Sequence, residues 1–388
     1  MPVRNRLAEM HPEITAWRRD LHEHPELLYD LPRTSKLVAE RLTAFGCDEV
    51  VPGIGRSGVV GVIKGRKTGS GRVTLFRADM DALPIHEITG LDYASKTEGK
   101  MHACGHDGHT AILLGAAKYL AETRNFDGTV VLAFQPAEEG GAGGKAMVDD
   151  GMMDRWGVDE VYGLHNMPGL PTGSFAIREG ALLASADEFI ITVTGRGGHA
   201  AVPHMTVDTT LVASHIVVAL QSIVSRNVDP LGNVVVTVGA FHTDSVASNV
   251  IAHTVTLKGT VRTLDPALRQ LAHERIMALV PATAEAYGAT AEIQYDWGYP
   301  VTMNHPEQTA FAADCAEEVA GACDRNVKPA MPAEDFAYML EARPGAYMLL
   351  GNGDTPMCHH PAYRFDDDAI PAGCSWFVTL AERRMPLE

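Results

Sequence analysis

Thr129-Val130-Val131-Leu132-Ala133-Phe134 runs without a break into Gln135-Pro136-Ala137-Glu138-Glu139-Gly140. The first half is apolar and β-branched, as a buried strand requires. The second half is a proline, two carboxylates and a glycine-rich turn. A strand that ends in a carboxylate pair delivers that pair to one rim of a sheet. The same design recurs twice. Arg72 to Phe76 reads as a strand and leads into Arg77-Ala78-Asp79-Met80-Asp81-Ala82-Leu83-Pro84. Glu160 to Gly163 reads as a short strand and leads into Leu164-His165-Asn166. Gly58 to Ile63 is a further strand, and Thr110 to Leu120 is a helix rich in Ala and Leu. Strands alternating with helices predict an α/β fold with a mainly parallel sheet. In such sheets ligands bind outside the carboxyl ends of the strands. Asp79, Asp81, Glu138, Glu139 and His165 are all expected there.

Between two of these strands lies Met101-His102-Ala103-Cys104-Gly105-His106-Asp107-Gly108-His109. Imidazole and thiolate together suit zinc-like divalent ions. Cys104, His106, Glu139, His165 and one histidine of Cys358-His359-His360-Pro361 supply mixed N, O and S donors. That is too many for one four-coordinate ion and suits two ions sharing a water. Glu138, beside a candidate ligand, is placed for general base and then general acid. Asp81 is expected to orient a ligand. Taken singly, each residue has a blander reading. Cys104 alone is most often a small buried hydrophobe, and paired glutamates are common on surfaces. His102 and His109 are expected in supporting roles, and Asp107 has no assigned one. His22 and His24 are read as solvated or capping histidines on a charged helical face. Glycines 140, 141, 143 and 144 lack the Lys-Ser/Thr ending of a phosphate loop and predict a close-packed turn. A Cys104–His nucleophile would leave the glutamate pair and the other histidine loops without a purpose.

Outward from this centre, helices are expected over about Glu13–Leu28 and over Thr34–Phe45, which Gly46 stops. From Ser185 the pattern changes to β-α-β-β-α-β: Asp187–Val193, Asp208–Arg226, Asn233–Val238, Thr254–Arg262, Ala267–Tyr287 and Ala291–Trp297. The long helix at Asp208–Arg226 has an apolar side of Leu211, Val212, Ile216, Ala219, Leu220 and Ile223, with His215 among them. An α+β domain is therefore expected as an insert at 185–296, within a catalytic domain made of 1–184 and 297–388. Thr309–Ala320, Asp335–Glu341, Ala346–Leu350 and Ala372–Arg384 complete that domain as helix, helical turn, strand and helix. The 388 residues are too many for one small core. Net charge is −17, from 32 basic and 49 acidic side chains, which argues against nucleic acid and anionic membranes as partners. Six cysteines without framework spacing read as reduced, hence a cytoplasmic location. No signal-peptide core and no membrane span are expected.

Phe76 to Pro84, Met101 to His109, Gln135 to Gly140, Gly163 to Asn166, Gly195 to His204, Glu334-Asp335-Phe336 and Trp17 to His22 together resemble the M20 metallopeptidase family. The likeness is nearest to its amidohydrolase branch of hippurate hydrolases, N-acyl-amino-acid amidohydrolases and plant auxin-conjugate hydrolases. It runs in order from about residue 14 to 380. The resemblance implies a dimetal catalytic domain and a smaller lid domain that forms a homodimer or a dimer-based oligomer. It implies Cys104, His106, Glu139, His165 and His359 as ligands and Glu138 as the base. His199 would steady substrate or oxyanion, and Asn249 and Arg262 would approach the substrate carboxylate. Pro332-Ala333 stands where the branch commonly has Gly-Ser, and Ala252-His253 where Pro-Asp is usual. Both bear on specificity more than on chemistry. The expected reaction is hydrolysis of an N-acyl amino acid to amino acid and carboxylic acid, with two divalent ions (manganese or zinc, with cobalt or nickel also compatible). A dipeptidase or carboxypeptidase of the same family is the alternative enzyme. A catalytically silent, metal-dependent peptide-binding protein is the alternative outside enzymes, and the intact Glu138 argues against it.

Overall fold

The computed structural model describes residues 5–387; the outermost residues of the expected catalytic domain, 1–4 and 388, lie outside them. In chain order the principal elements are α1 (Asn5–Glu23), α2 (Pro32–Phe45), β1 (Glu49–Ile54), β2 (Gly58–Lys64), β3 (Val73–Asp79), α3 (His106–Thr123), β4 (Thr129–Gln135), α4 (Gly143–Asp149), β5 (Glu160–Met167) and β6 (Phe175–Ala176). Then come β7 (Ser185–Thr194), α5 (Thr209–Ser222), β8 (Val234–Thr243), β9 (Thr254–Thr263), α6 (Pro266–Ala286) and β10 (Thr290–Tyr299). The chain closes with α7 (Pro306–Ala320), β11 (Gly345–Gly351) and α8 (Ile370–Arg384). It divides into two compact units. Unit 2 is Leu183–Val301 with Pro329–Glu334, and unit 1 is the remainder. Unit 2 takes in Pro329–Glu334 because the Ala184 amide donates to the carbonyls of Ala330 and Pro332, at 3.1 and 3.0 Å.

Unit 1 is built on a seven-stranded sheet of order β1-β2-β4-β3-β5-β11-β6. The four central strands, β4, β3, β5 and β11, are mutually parallel, and the outer ones pair antiparallel. β2 and β4 are buried along nearly their whole length, as strands covered on both faces must be. That explains their unbroken apolar runs. α1 buries Leu7, Met10, Ile14, Trp17 and Leu21, one stripe at helical spacing. α3 is buried almost all round, which its small Ala and Gly residues permit. α2 begins with Pro32 at its first turn and ends at Gly46, whose φ of 82° is a left-handed cap. The alternation of apolar runs and helices located most of these elements. β1 was not expected, because Pro52 and Gly53 interrupt its pattern; it is a bulged edge strand, where proline is tolerated.

Unit 2 is a four-stranded antiparallel sheet of order β8-β9-β7-β10 with α5 and α6 on one face. β7 alternates buried and exposed residues, the mark of a sheet with one covered face. Gly259 in β9 leaves room for the Phe189 ring, which a Cβ there would meet at 2.1 Å. Asp208 and Asp265 cap the two helices with side-chain bonds to backbone amides. Two residues of the expected apolar side of α5 face outward. Leu211 is 50% exposed, and His215 is exposed and stacks on Tyr287 at 4.6 Å. The stripe that packs is Val212, Ala213, Ile216 and Leu220. By length and composition Thr209–Asn227, with a mean hydropathy of 1.2, is apolar enough to cross a membrane. Its buried residues belong to the core of unit 2.

Candidate metal centre

Parallel pairing puts the carboxyl ends of β3, β4, β5 and β11 on one side of the unit 1 sheet. β3 ends at Asp79 and leads to Asp81, β4 leads to Glu138 and Glu139, and β11 leads to the loop that carries His359. His165 lies inside β5, which runs to Met167 rather than stopping at Gly163. α3 begins at His106, four residues earlier than the Ala/Leu pattern indicated. Gly105 makes that start possible. Its φ is 85°, and a Cβ there would lie 2.4 Å from both the Asn166 amide nitrogen and the Tyr363 hydroxyl.

The donors gather in overlapping groups whose ligand atoms lie within 4.8 Å of one another. Cys104, His106 and His165 form one; Cys104, Glu139 and His359 form another; His106, Glu138 and Glu139 form a third. Cys104 is common to the first two. Two of these three histidines are turned by a bond at the other nitrogen. His106 Nδ1 donates to the Asp81 carbonyl at 2.8 Å, and His165 Nδ1 to the Asn166 carbonyl at 2.7 Å. That leaves each Nε2 as a lone pair facing the cluster, the arrangement metal-binding histidines adopt. His165 Nε2 is 3.4 Å from Cys104 Sγ. His106 Nε2 is buried without a hydrogen bond, 3.6 Å from Asp79 and 3.9 Å from Glu139. Glu139 Oε1 is also buried without one, 3.3 Å from His359 Nε2. Buried polar atoms without partners are costly unless an ion or water satisfies them. This donor set therefore fits a divalent cation.

Electrostatics point the same way. Burial opposes charge on His106, yet Asp79, Asp81 and Glu139 outweigh it and raise the ring well above the usual imidazole range: the carboxylates favour positive charge at Nε2, whether a proton or a cation. Burial would raise Glu139, but the adjacent His359 ring and the charge of His106 bring it down. Burial raises Asp81. Asp81 reaches the cluster through the backbone. Its two oxygens accept the amides of Glu138 and Glu139 at 2.9 and 3.1 Å. One buried carboxylate thus fixes the loop that presents both glutamates. Gly143 follows in a close turn, where a Cβ would meet the Pro136 carbonyl at 1.7 Å.

Of the two late histidines, His359 joins the donors. His360 Nδ1 accepts the Ala362 amide at 3.0 Å and stabilises its own turn. His109 is committed elsewhere: Nδ1 donates to Asp79 at 2.7 Å and Nε2 accepts the Asn166 amide at 2.9 Å. His24 bonds the Asp20 carbonyl at the end of α1, as a capping residue does. His22 corrects the sequence reading. It is 1% exposed and bonds Asp107 at 2.9 Å and Glu87 at 3.3 Å. The charged face of α1 lies against α3, which a helical projection cannot reveal.

Several residues around the centre went unassigned in the sequence. Asp79 is buried between Arg77 and His109. Asp335 accepts from Arg77, Gln135 and Gly144 at 2.7–2.9 Å. Cys358 places a second thiol beside Cys104, its sulfur 4.0 Å from the Cys104 carbonyl. The strand-end positions of Arg77 and Asp79, and for Asp335 the Glu334-Asp335-Phe336 stretch, were the usable signals. In unit 2, His199 and Asn249 are exposed neighbours, with the Ala200 amide donating to the Asn249 carbonyl at 3.0 Å. Arg262 lies near the opposite end of β9, about 25 Å away along the strand, paired in register with Ala186 and Val235. One of its guanidinium nitrogens is buried without a hydrogen bond.

Comparison with known proteins agrees with this geometry. Residues 75–383 match the model of peptidase family M20/M25/M40. The chain is 44% identical over 377 residues to a hippurate hydrolase of Campylobacter jejuni, covering 97% of each. It is 39% identical to an N-acetyl-L-cysteine deacetylase of Bacillus subtilis, over 98% of this chain and 89% of that one. A Bacillus subtilis crystal structure described as a dinuclear metal binding peptidase of family M20 superposes with a TM-score of 0.85. That chain is 34% identical, and the match covers 97% of this chain and 99% of that one. The protein therefore belongs to peptidase family M20/M25/M40, in its amidohydrolase branch, and is a metal-dependent enzyme that hydrolyses amides.

Proposed function

We propose that the chain hydrolyses N-acyl amino acids of the hippurate type, with two divalent ions held by Cys104, His106, Glu139, His165 and His359. The observation that carries this reading is the pair of buried atoms without hydrogen bonds, His106 Nε2 and Glu139 Oε1, inside donor groups that share Cys104. Ions in such a set supply Lewis acidity, which polarises a carbonyl and makes water more acidic. Glu138 then works as the proton carrier. Its carboxylate takes the proton of the attacking water and returns it to the amine that leaves, so base and acid are one residue. Asp81 holds Glu138 in place through its amide. The similarity to a hippurate hydrolase and a deacetylase supports an acyl cap on an amino acid as the substrate class. The same proposal gives His199 the role of steadying the oxyanion, Asn249 that of meeting the substrate carboxylate, Arg262, about 25 Å away along the strand, that of reaching a carboxylate from the partner subunit, and unit 2 the dimer surface.

The test combines metal analysis of the purified protein with a panel of hippurate, N-acetyl amino acids and dipeptides, assayed before and after chelation. Metal-restored hydrolysis that favours acyl amino acids supports the proposal. A preference for dipeptides would transfer the site to peptidase work. In Glu138→Ala the metal content is expected to stay, while kcat falls about 10²–10⁴-fold or more. Retained turnover in that variant would remove Glu138 as the base.

A further inference from the structure

Cys358 is a thiol beside the metal centre for which the proposed chemistry has no use. It belongs to none of the donor groups among the described residues. Its sulfur is 4.0 Å from both the Cys104 carbonyl and Asn166 Oδ1. Asn166 touches both residues, its side-chain nitrogen donating to the same Cys104 carbonyl at 2.6 Å. The backbone holds them there: the His359 amide donates to the Ala103 carbonyl at 2.8 Å, so residues 103–104 and 358–359 run side by side. Cys358 is partly exposed and Cys104 is buried. The remaining cysteines differ. Cys315 and Cys374 are buried in the core of unit 1, and Cys47 and Cys323 pack against it.

We propose that Cys104 and Cys358 are a redox pair, cross-linked by hydroperoxides into a disulfide that takes Cys104 away from the metal centre. The chemistry balances in two steps. The Cys358 thiol attacks the peroxide; an S–O bond forms, the O–O bond breaks, and Cys358 becomes a sulfenic acid while the other oxygen leaves as water or an alcohol. The Cys104 thiol then attacks that sulfur. The S–S bond forms, the S–O bond breaks, and water leaves with the proton of Cys104. Both sulfurs are oxidised and the peroxide is reduced. A thiolate held by a cation cannot also bond to sulfur in this way, so bound metal and disulfide exclude each other. The cross-link itself stands on the position of the two thiols. Its coupling to metal rests on the proposed ligand role of Cys104.

The experiment treats metal-loaded and metal-stripped protein with hydrogen peroxide and reads three quantities: the Cys104–Cys358 peptide in a non-reducing map, free thiols, and bound metal. The expected result is that linked peptide, with free thiols falling from six to four. Metal at about 100 times its Kd should slow the cross-linking roughly 100-fold by mass action. Oxidised protein should lack metal and regain it with a dithiol reductant. Cys358→Ser should keep its metal and turnover under the same peroxide dose. Absence of the linked peptide in the stripped protein overturns the proposal, as does a cross-linked protein that keeps its metal. If untreated protein shows no metal-dependent hydrolysis while the stripped protein still cross-links, the function proposal fails and the redox pair stands.

Discussion

At the scale of single residues, the candidate centre rests on groups that act through backbone amides and through other side chains. Asp81 accepts two backbone amides with its two oxygens and holds His106 through its carbonyl. Removing such a support typically costs 10–100-fold in metal affinity. Asp81→Ala is therefore expected to weaken metal binding by roughly that factor and, because it also releases the Glu138 amide, to lower turnover in the fraction that holds metal. A metal titration checks this, and an unchanged dissociation constant would refute the supporting role. Which residues are candidate donors was largely visible in the chain. Cys104, His106, Glu139 and His165 are conspicuous by type and by their place near strand ends. The supports were not visible, because Asn166, Asp335 and Tyr363 are ordinary polar residues whose partners lie far away in sequence.

At the scale of elements, α1 and α3 are joined by charge as well as by packing. Asp107, in the first turn of α3, accepts from Arg18 and His22 of α1, and all three are buried. Removing one partner of such a cluster strands the others. Burial lowers the affinity of His22 for a proton, but Asp107 and Glu87 outweigh it and raise its pKa to about 9. A histidine raised in the folded state stabilises fully below its unfolded value, about 6.5. That contribution is lost as pH rises through the folded value. The shift corresponds to something on the order of 3 kcal/mol. His22→Gln should therefore cost most stability near pH 6 and much less near pH 10, by urea unfolding at about those two values. A cost independent of pH would show that the ring acts by packing alone. The sequence placed His22 on a helix and misjudged its surroundings, since a charged face looks solvated until a buried aspartate is found opposite it.

At the scale of the whole molecule, unit 2 exposes apolar groups beyond what isolated surface residues explain. Leu211 and Val218 of α5 are 50% and 69% exposed, and Val235 and Phe241 of the edge strand β8 are 37% and 38% exposed. An unpaired sheet edge beside such groups is suited to pairing with another chain. The protein is expected to sediment as a dimer, and Leu211→Lys with Val218→Glu to shift it toward monomer with its helix content intact. A parent protein that sediments as a monomer would dispose of this expectation.

The sequence by itself determined the α/β plan, the inserted β-α-β-β-α-β region and most of the candidate donors. Those follow from local rules: apolar period, glycine stops, and chemistry-bearing residues placed where strands end. Only the tertiary structure decided that His359 and not His360 joins the donors, that His109 serves Asp79, and that Asp81 acts through backbone amides. It alone brought Cys358 to Cys104 across 254 residues of chain. These outcomes depend on which nitrogen or oxygen is already occupied by a neighbour, and a hydrogen-bond partner distant in sequence leaves no local pattern to read.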